Sequence, residues 1–294
     1  MAVPGVRDYT VGWVCALSTE AVAARQFLDA EHQPLCYQDH QDNNSYTLGR
    51  IGNHNVVIAV LPKGIYGNNS AAGVMKDMLY TFPNIRIGLL VGVGGGAPSE
   101  NHDIRLGDIV VSTPENGISG VIQYDFGKET QDQDFRVTGL VNHPPNFLLT
   151  AVSKLKSLHD SDGHQINEMV DHVLQKRRTL HQCYGRPDPK SDRLYRPEVV
   201  HPDYNKSCLA VCGTSREKLI TRTPRRINGS TPVIHYGVIA SANRVIKNAL
   251  FRNVLSAKYN ILCFDMEAAG LLNHFPCLVI RGICDYSDSH KTKE

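Results

Sequence analysis

Apolar residues along the chain switch between two spacings. Residues 11–17 (VGWVCAL) alternate and are β-branched enough to predict a strand, and Ser18 is placed to cap a helix over 19–29. Residues 46–51 and 55–61, joined by Gly52-Asn53-His54, read as a β-hairpin. Small and apolar residues at helical spacing predict a helix over 68–80, capped by Asn68 or Asn69. A buried strand is expected over 85–93, ended by Gly94-Gly95-Gly96, and a short one over 108–112. Further on come a strand at 233–240, a helix at 242–255 and a strand at 260–264. A helix at 266–273 and a last strand at 277–284 complete the pattern.

Alternating strands and helices argue for an α/β sandwich with a parallel or mixed sheet. Residues 158–231 break the rhythm, being rich in charge, proline and histidine, with helical patterning only near 165–174. They read as an insertion within one domain spanning 1–294. In open α/β sheets, ligands sit beyond the carboxyl ends of the strands. Glu20, the glycines from Gly94, Ser241, the pair Asp265 and Glu267, and Asp285 all follow expected strands. If the strands lie side by side, these groups converge on one rim.

Composition narrows the classes without choosing among them. Of 294 residues, 41% are hydrophobic and 20% charged, and the formal charge of +2 argues against a general binder of nucleic acid or membrane surface. The basic clusters Lys176-Arg177-Arg178 and 222–226 read as solvated surface. No apolar run approaches the roughly 20 residues needed to span a bilayer, and no secretory signal pattern opens the chain. Eight cysteines are too few for a disulfide scaffold. Cys208 and Cys212 form a C-x-x-x-C pair without a second pair at zinc-finger spacing, so they read as reduced thiols; no metal and no cofactor is expected, and the cytoplasm is the expected home.

The run Gly92 to Ala97 fits G-x-G-x-x-A after a strand, which suggests dinucleotide binding. That fingerprint needs a helix at its third position, and Pro98-Ser99-Glu100-Asn101-His102-Asp103 is loop sequence. What survives is a backbone that can approach a ligand closely.

Six segments in order carry a wider resemblance: ALSTEAVAA (from Ala16), GVGGG (from Gly92), RLGDIVVS (from Arg105), HYGVIAS (from His235), FDMEAAGL (from Phe264) and VIRGICDYSDSH (from Val279). Together they resemble the nucleoside phosphorylase superfamily, on the branch of methylthioadenosine/S-adenosylhomocysteine nucleosidases. The likeness is greatest to fungal versions, which often open multidomain proteins similar to intracellular immune receptors. The resemblance implies a three-layer α/β sandwich with a mixed central sheet, and a purine nucleoside as the small-molecule partner. It further implies a homo-oligomer, a dimer or larger, in which a neighbour closes each pocket. It assigns Glu20 to activating the attacking water, and Met266 with Glu267 to the ribose and its 2′ and 3′ hydroxyls. Asp285 would donate a proton to purine N7, with Cys284 where that family usually has serine. Ile239, Ala240 and Ser241 match the strand edge that contacts the base, and Gly94 with Gly95 the loop that holds water or phosphate. Asp265 matches an acid before the Met-Glu pair. Gln123, Tyr124 and Asp125 could border the ribose. Related chains continue into a further long helix, so one is expected to be missing here.

The chemistry this implies is scission of a ribose–purine bond. The sugar becomes cationic and the departing base takes up negative charge, so an acid at N7 and carboxylates near the sugar lower the barrier, as in glycosidases. A phosphorylase must hold phosphate where a nucleosidase holds water, which calls for arginines beside the glycine loops. Neither the loop from Ala16 to Glu20 nor the run Gly92 to Gly96 contains one. The expectation is therefore a purine nucleoside N-ribosyl hydrolase acting on adenosine-like nucleosides. A phosphorylase and a non-catalytic nucleoside-sensing module remain the alternatives.

Overall fold

A computed structural model of the chain describes residues 4–139, 141–225 and 232–290. Its strands are β1 (Val11–Cys15), β2 (Ala30–Glu31), β3 (Tyr46–Ile51), β4 (His54–Val60), β5 (Ile87–Gly96) and β6 (Ile109–Ser112). They continue with β7 (Val121–Thr130), β8 (Gln133–Gly139), β9 (Ile234–Ser241), β10 (Ile261–Asp265) and β11 (Leu278–Asp285). The helices are α1 (Ser18–Gln26), α2 (Asn68–Thr81), α3 (Asn146–Asp162), α4 (Ile166–Lys176), α5 (Arg178–Tyr184), α6 (Cys208–Val211), α7 (Ala249–Tyr259) and α8 (Ala268–His274).

All these strands join one mixed sheet in the order β2-β3-β4-β1-β5-β11-β6-β9-β7-β8. This is the expected α/β architecture with helices on a mixed sheet. β1, β5 and β11 run parallel at its centre, where Val14, Leu90 and Val279 are fully buried. β10 stands off that path and pairs with both β5 and β9. The pairing therefore runs β5–β11–β6–β9–β10 and returns to β5, so part of the sheet curls into a ring whose mouth carries the candidate site. α2 and α8 pack on the same buried cluster through Met75, Met78, Leu271 and Leu272.

Three expectations need correction. The glycines do not end β5; it continues through Gly96, because Gly95 and Gly96 pair with Phe264 and Cys263 of β10. The helix expected over 242–255 begins only at Ala249, where the Asn248 side chain caps it by accepting from Phe251 N at 3.1 Å. Before it, Asn243 is held by other elements: its N–H donates to Asp125 at 3.0 Å, and its side-chain oxygen accepts from Asn68 N at 2.9 Å. Those tertiary bonds keep 242–248 a loop against a helical sequence pattern.

The third concerns the basic cluster at 222–226. Arg222 and Arg225 are largely covered, not solvated. Arg225 forks onto Asp108 at 2.6 and 2.7 Å, and Arg222 pairs with Asp192 at 2.8 Å. Arg226 lies outside the described residues. The hairpin β7–β8 and helix α3 carry residues to which the sequence pattern assigned no element, and position 158 falls inside α3.

Candidate active site

At the carboxyl ends of β1, β5, β10 and β11 lies a cleft of about 760 Å³, its open mouth included. Glu20, Asp265, Glu267 and Asp285 all line it, together with Gly94, Gly95, Met266 and Cys284. The structure brings these expected rim residues together, but Ser241, expected on the same rim, is not among them.

Glu20 sits in the first turn of α1, and its carboxylate accepts three backbone N–H groups. Ala16 and Leu17 donate to one oxygen at 2.7 and 3.0 Å, and Val93 donates to the other at 2.8 Å. The residue thus caps its helix and ties β1 to β5 while still facing the cleft. A carboxylate fixed from both sides keeps one orientation and retains lone pairs for a further donor.

Glu267 stands one residue before α8. Burial is the main influence on its carboxyl, pushing it up to about 7; Arg281 works against that and the charges of Asp265 and Glu20 with it. Gly67 N donates to it at 3.4 Å. Asp265 caps α8 by accepting from Ala268 N at 3.2 Å. Asp285 closes β11, with one oxygen accepting Ser287 N at 2.8 Å and the Cys284 thiol 3.3 Å from the other.

Beneath these acids lies Arg281, which the sequence reading passed over. Its side chain is fully buried in β11, 2.5 Å from Asp265 and 3.6 Å from Glu267. Asp265, then Glu267 and Glu20, hold it firmly protonated against desolvation. A charged residue inside the apolar run 277–283 was the available signal, since arginine is almost never fully buried without partners.

The glycines of β5 make room for these groups. A Cβ on Gly92 would lie 2.4 Å from the Glu20 carboxylate and 2.7 Å from the Arg281 guanidinium. One on Gly95 would lie 2.1 Å from Ser287 Oγ and 2.8 Å from Asp285 Oδ1. The GVGGG segment is a strand stripped of side chains so that the charged groups can close over it.

Other expected residues lie elsewhere. Ile239, Ala240 and Ser241 are buried in β9 and form no part of the cleft wall. The Ser241 hydroxyl is engaged internally, accepting from Ala269 N at 3.0 Å and donating to Asn68 at 3.4 Å. The wall there is formed instead by Arg244, Val245 and Ile246, in the loop read as helix from sequence. Tyr124 packs against Phe264, and Asp125 braces that loop through Asn243, so both act behind the wall.

No protein-family model matches the chain. It is 45% identical over 289 residues to a nucleotide-binding leucine-rich repeat (NLR)-like protein of Hyaloscypha variabilis, covering 98% of this chain and 27% of that protein. The chain thus spans about a quarter of that relative's length. Among solved structures, a mutant methylthioadenosine nucleosidase of Helicobacter pylori with 5′-methylthioadenosine in its active site is similar, with a TM-score of 0.57. It is 13% identical, over 96% of this chain and 87% of the other. A 5′-methylthioadenosine/S-adenosylhomocysteine nucleosidase from Neisseria meningitidis with methylthio-immucillin-A follows at 0.55, with 14% identity over 95% and 87%. Futalosine hydrolase of Helicobacter pylori follows at 0.53, with 15% identity over 96% and 87%. The chain shares its fold with these nucleosidases.

Proposed function

We propose that the chain is a purine nucleoside N-ribosyl hydrolase that releases the base from adenosine-like nucleosides. The observation that carries this reading is the meeting of Glu20, Glu267 and Asp285 around one cleft on a nucleosidase fold. Glu20, held by three backbone N–H groups, accepts a proton from the attacking water. Glu267 receives the ribose hydroxyls beside Met266, and its negative charge favours the developing sugar cation. Asp285 delivers a proton to purine N7, so the base leaves neutral. Each proton transfer contributes typically about 10²–10⁴ in rate.

Hydrolysis is favoured over phosphorolysis by charge. Arg244, in the wall, lies over the Tyr124 and Phe251 rings, while Arg281, the cation beneath the cleft, is already engaged by Asp265 and Glu267. A phosphate would enter among carboxylates with that arginine spent on them. Incubation with adenosine, with and without phosphate, tests the reading. Free ribose formed equally in both supports it, and ribose 1-phosphate formed only with phosphate overturns it. Methylthioadenosine belongs in the same panel, because the cleft wall includes Leu17, Val93 and Val245.

A second reading follows from the NLR-like relative: the domain serves a larger receptor-like protein as its nucleoside-binding or nucleoside-cleaving part. We also propose a homo-oligomer in which a second copy covers the mouth, since Tyr66 and Val245 line it at 45% and 50% exposure and Ile65, the neighbour of Tyr66 in the chain, is 61% exposed. Light scattering on the protein and on an Ile65→Asp variant tests this. No described helix is long and apolar enough to cross a membrane, and a chain with only eight cysteines, read as reduced thiols, suits the cytoplasm.

A further inference from the structure

The sequence shows one C-x-x-x-C pair and no second pair of cysteines, but folding supplies two histidines from elsewhere. His201, Cys208, Cys212 and His290 bring their ligand atoms within 4.8 Å of one another. His201 and Cys212 are almost fully buried, Cys208 and His290 partly so. We propose that these four residues form a structural zinc site, in place of the reading of Cys208 and Cys212 as plain thiols without a metal.

Three observations carry the proposal. The first is spacing. Sulfur and nitrogen at two corners of a tetrahedral zinc centre lie about 3.6 Å apart, given Zn–S near 2.3 Å and Zn–N near 2.05 Å. Cys208 Sγ is 3.6 Å from His201 Nδ1 and 3.7 Å from His290 Nδ1; Cys212 Sγ is 3.4 Å from His290 Nδ1 and 2.9 Å from His201 Nδ1. Each sulfur therefore faces both nitrogens. A thiol has one proton and satisfies one of them, whereas a cation at the centre satisfies all four.

The second is the tautomer. His290 Nε2 lies 2.9 Å from the Val199 carbonyl oxygen, and His201 Nε2 lies 3.0 Å from that of Lys206. A carbonyl oxygen only accepts, so in both rings Nε2 carries the proton and Nδ1 keeps its lone pair. Both lone pairs point into the cluster. Donation of the second ring N–H to a backbone carbonyl is the arrangement that orients metal-bound histidine.

The third is charge. Two thiolates and two neutral imidazoles around Zn²⁺ make a neutral centre, so its burial leaves no uncompensated ion. Binding releases two thiol protons to solvent and involves no redox step. Four protein ligands leave no open position, which marks a structural centre and not a catalytic one. Tyr195 stacks on the His290 ring at 3.8 Å and shields that side.

The position gives the centre its consequence. Cys208 and Cys212 belong to the 158–231 connection, while His290 lies five residues beyond Asp285, after the loop carrying Ser287 and Asp288. Ser289 adds a neighbouring tie by accepting from His201 N at 2.9 Å. Zinc would pin the long connection to the end of the loop that holds the candidate acid. The inference does not depend on the hydrolase reading.

The test is metal analysis of the 294-residue protein purified without chelators, with zinc added and excess removed. The expected result is about one zinc per chain, falling at least tenfold in Cys208→Ser and in His290→Ala. Both positions are partly exposed, so these variants should fold even if Cys212→Ser does not. Replacing zinc with cobalt gives an independent readout: intense visible bands of tetrahedral cobalt with a thiolate charge-transfer band. Less than a tenth of an equivalent of zinc, weak octahedral cobalt colour, or a Cys208–Cys212 disulfide in peptide mapping would each overturn the proposal.

Discussion

Glu267 loses its proton near 7 in the folded chain and near 4.5 when free in solution. Between those values the native state holds a proton that the unfolded chain has released. The stability this provides is present below about 4.5 and is lost as pH rises through about 7. The full window is worth on the order of 3 kcal/mol at about 1.4 kcal/mol per pKa unit. Glu267→Gln should flatten that part of the curve, with denaturant unfolding followed from acid to mildly alkaline pH as the check. Function runs the opposite way, because the proposed grip on ribose needs the carboxylate. In the wild type, kcat/KM should therefore rise with pH through about 7 while stability falls. A rise that persists unchanged in Glu267→Gln would assign the limb to another group. The residue beneath, Arg281, is subject to a different rule. Arg281→Met leaves Asp265 and Glu267 buried without their cation, at a cost of about 3–5 kcal/mol, measurable by urea unfolding. Asp285→Asn should leave the fold intact and lower kcat for base release by about 10²–10⁴.

At the scale of elements, the site depends on strands and helices ending at the same place. β1 and β5 run parallel, and Glu20 bridges the chain just beyond β1 to β5 by accepting N–H groups from both. β11 delivers Arg281 below the cleft and Asp285 at its rim, with a shift in its register against β5 between Ile283 and Asp285. Gly95 allows the Asp285 loop to lie against β5. Gly95→Ala would put a Cβ 2.1 Å from Ser287 Oγ, and the loop must move. Product assays should show a large fall in kcat, while the unfolding free energy drops only as far as a strained loop requires, about 1–3 kcal/mol. These elements also show what was legible in the sequence. Strand ends were readable because apolar runs stop where the acids begin, and that placed Glu20, Glu267 and Asp285 together. Arg281 was hidden because alternation was read as apolar throughout. The 242–248 loop was hidden because its shape is set by Asp125 and Asn68, distant residues that local periodicity does not register.

For the whole molecule, the question is how a connection of some seventy residues stays docked on the sheet. Much of the answer is one buried carboxylate. Asp108, 1% exposed at the start of β6, accepts both arms of Arg225, the His235 ring at 2.9 Å, and the N–H groups of Val233 and Arg105 at 2.9 Å each. Burial opposes its charge, but Arg225, His235 and the two backbone donors together outweigh that and bring its carboxyl down to about 2. A depressed carboxyl contributes stability above the unfolded value of 3.8 that is lost as pH falls through about 2. Arg222 lies alongside, joining Asp192 and donating to Tyr286 OH at 2.8 Å, next to the Asp285 loop. The connection is therefore tied to the sheet by groups that keep their charge in moderate acid, at the same face where His290 meets the cysteines. Asp108→Asn removes the charge that Arg225 answers while keeping the volume. Limited proteolysis near neutral pH should then cut first within residues 186–225, well before the sheet is attacked. The wild type should resist such cleavage until the pH approaches about 2. Equal resistance of the two proteins would mean that apolar packing alone holds the connection in place.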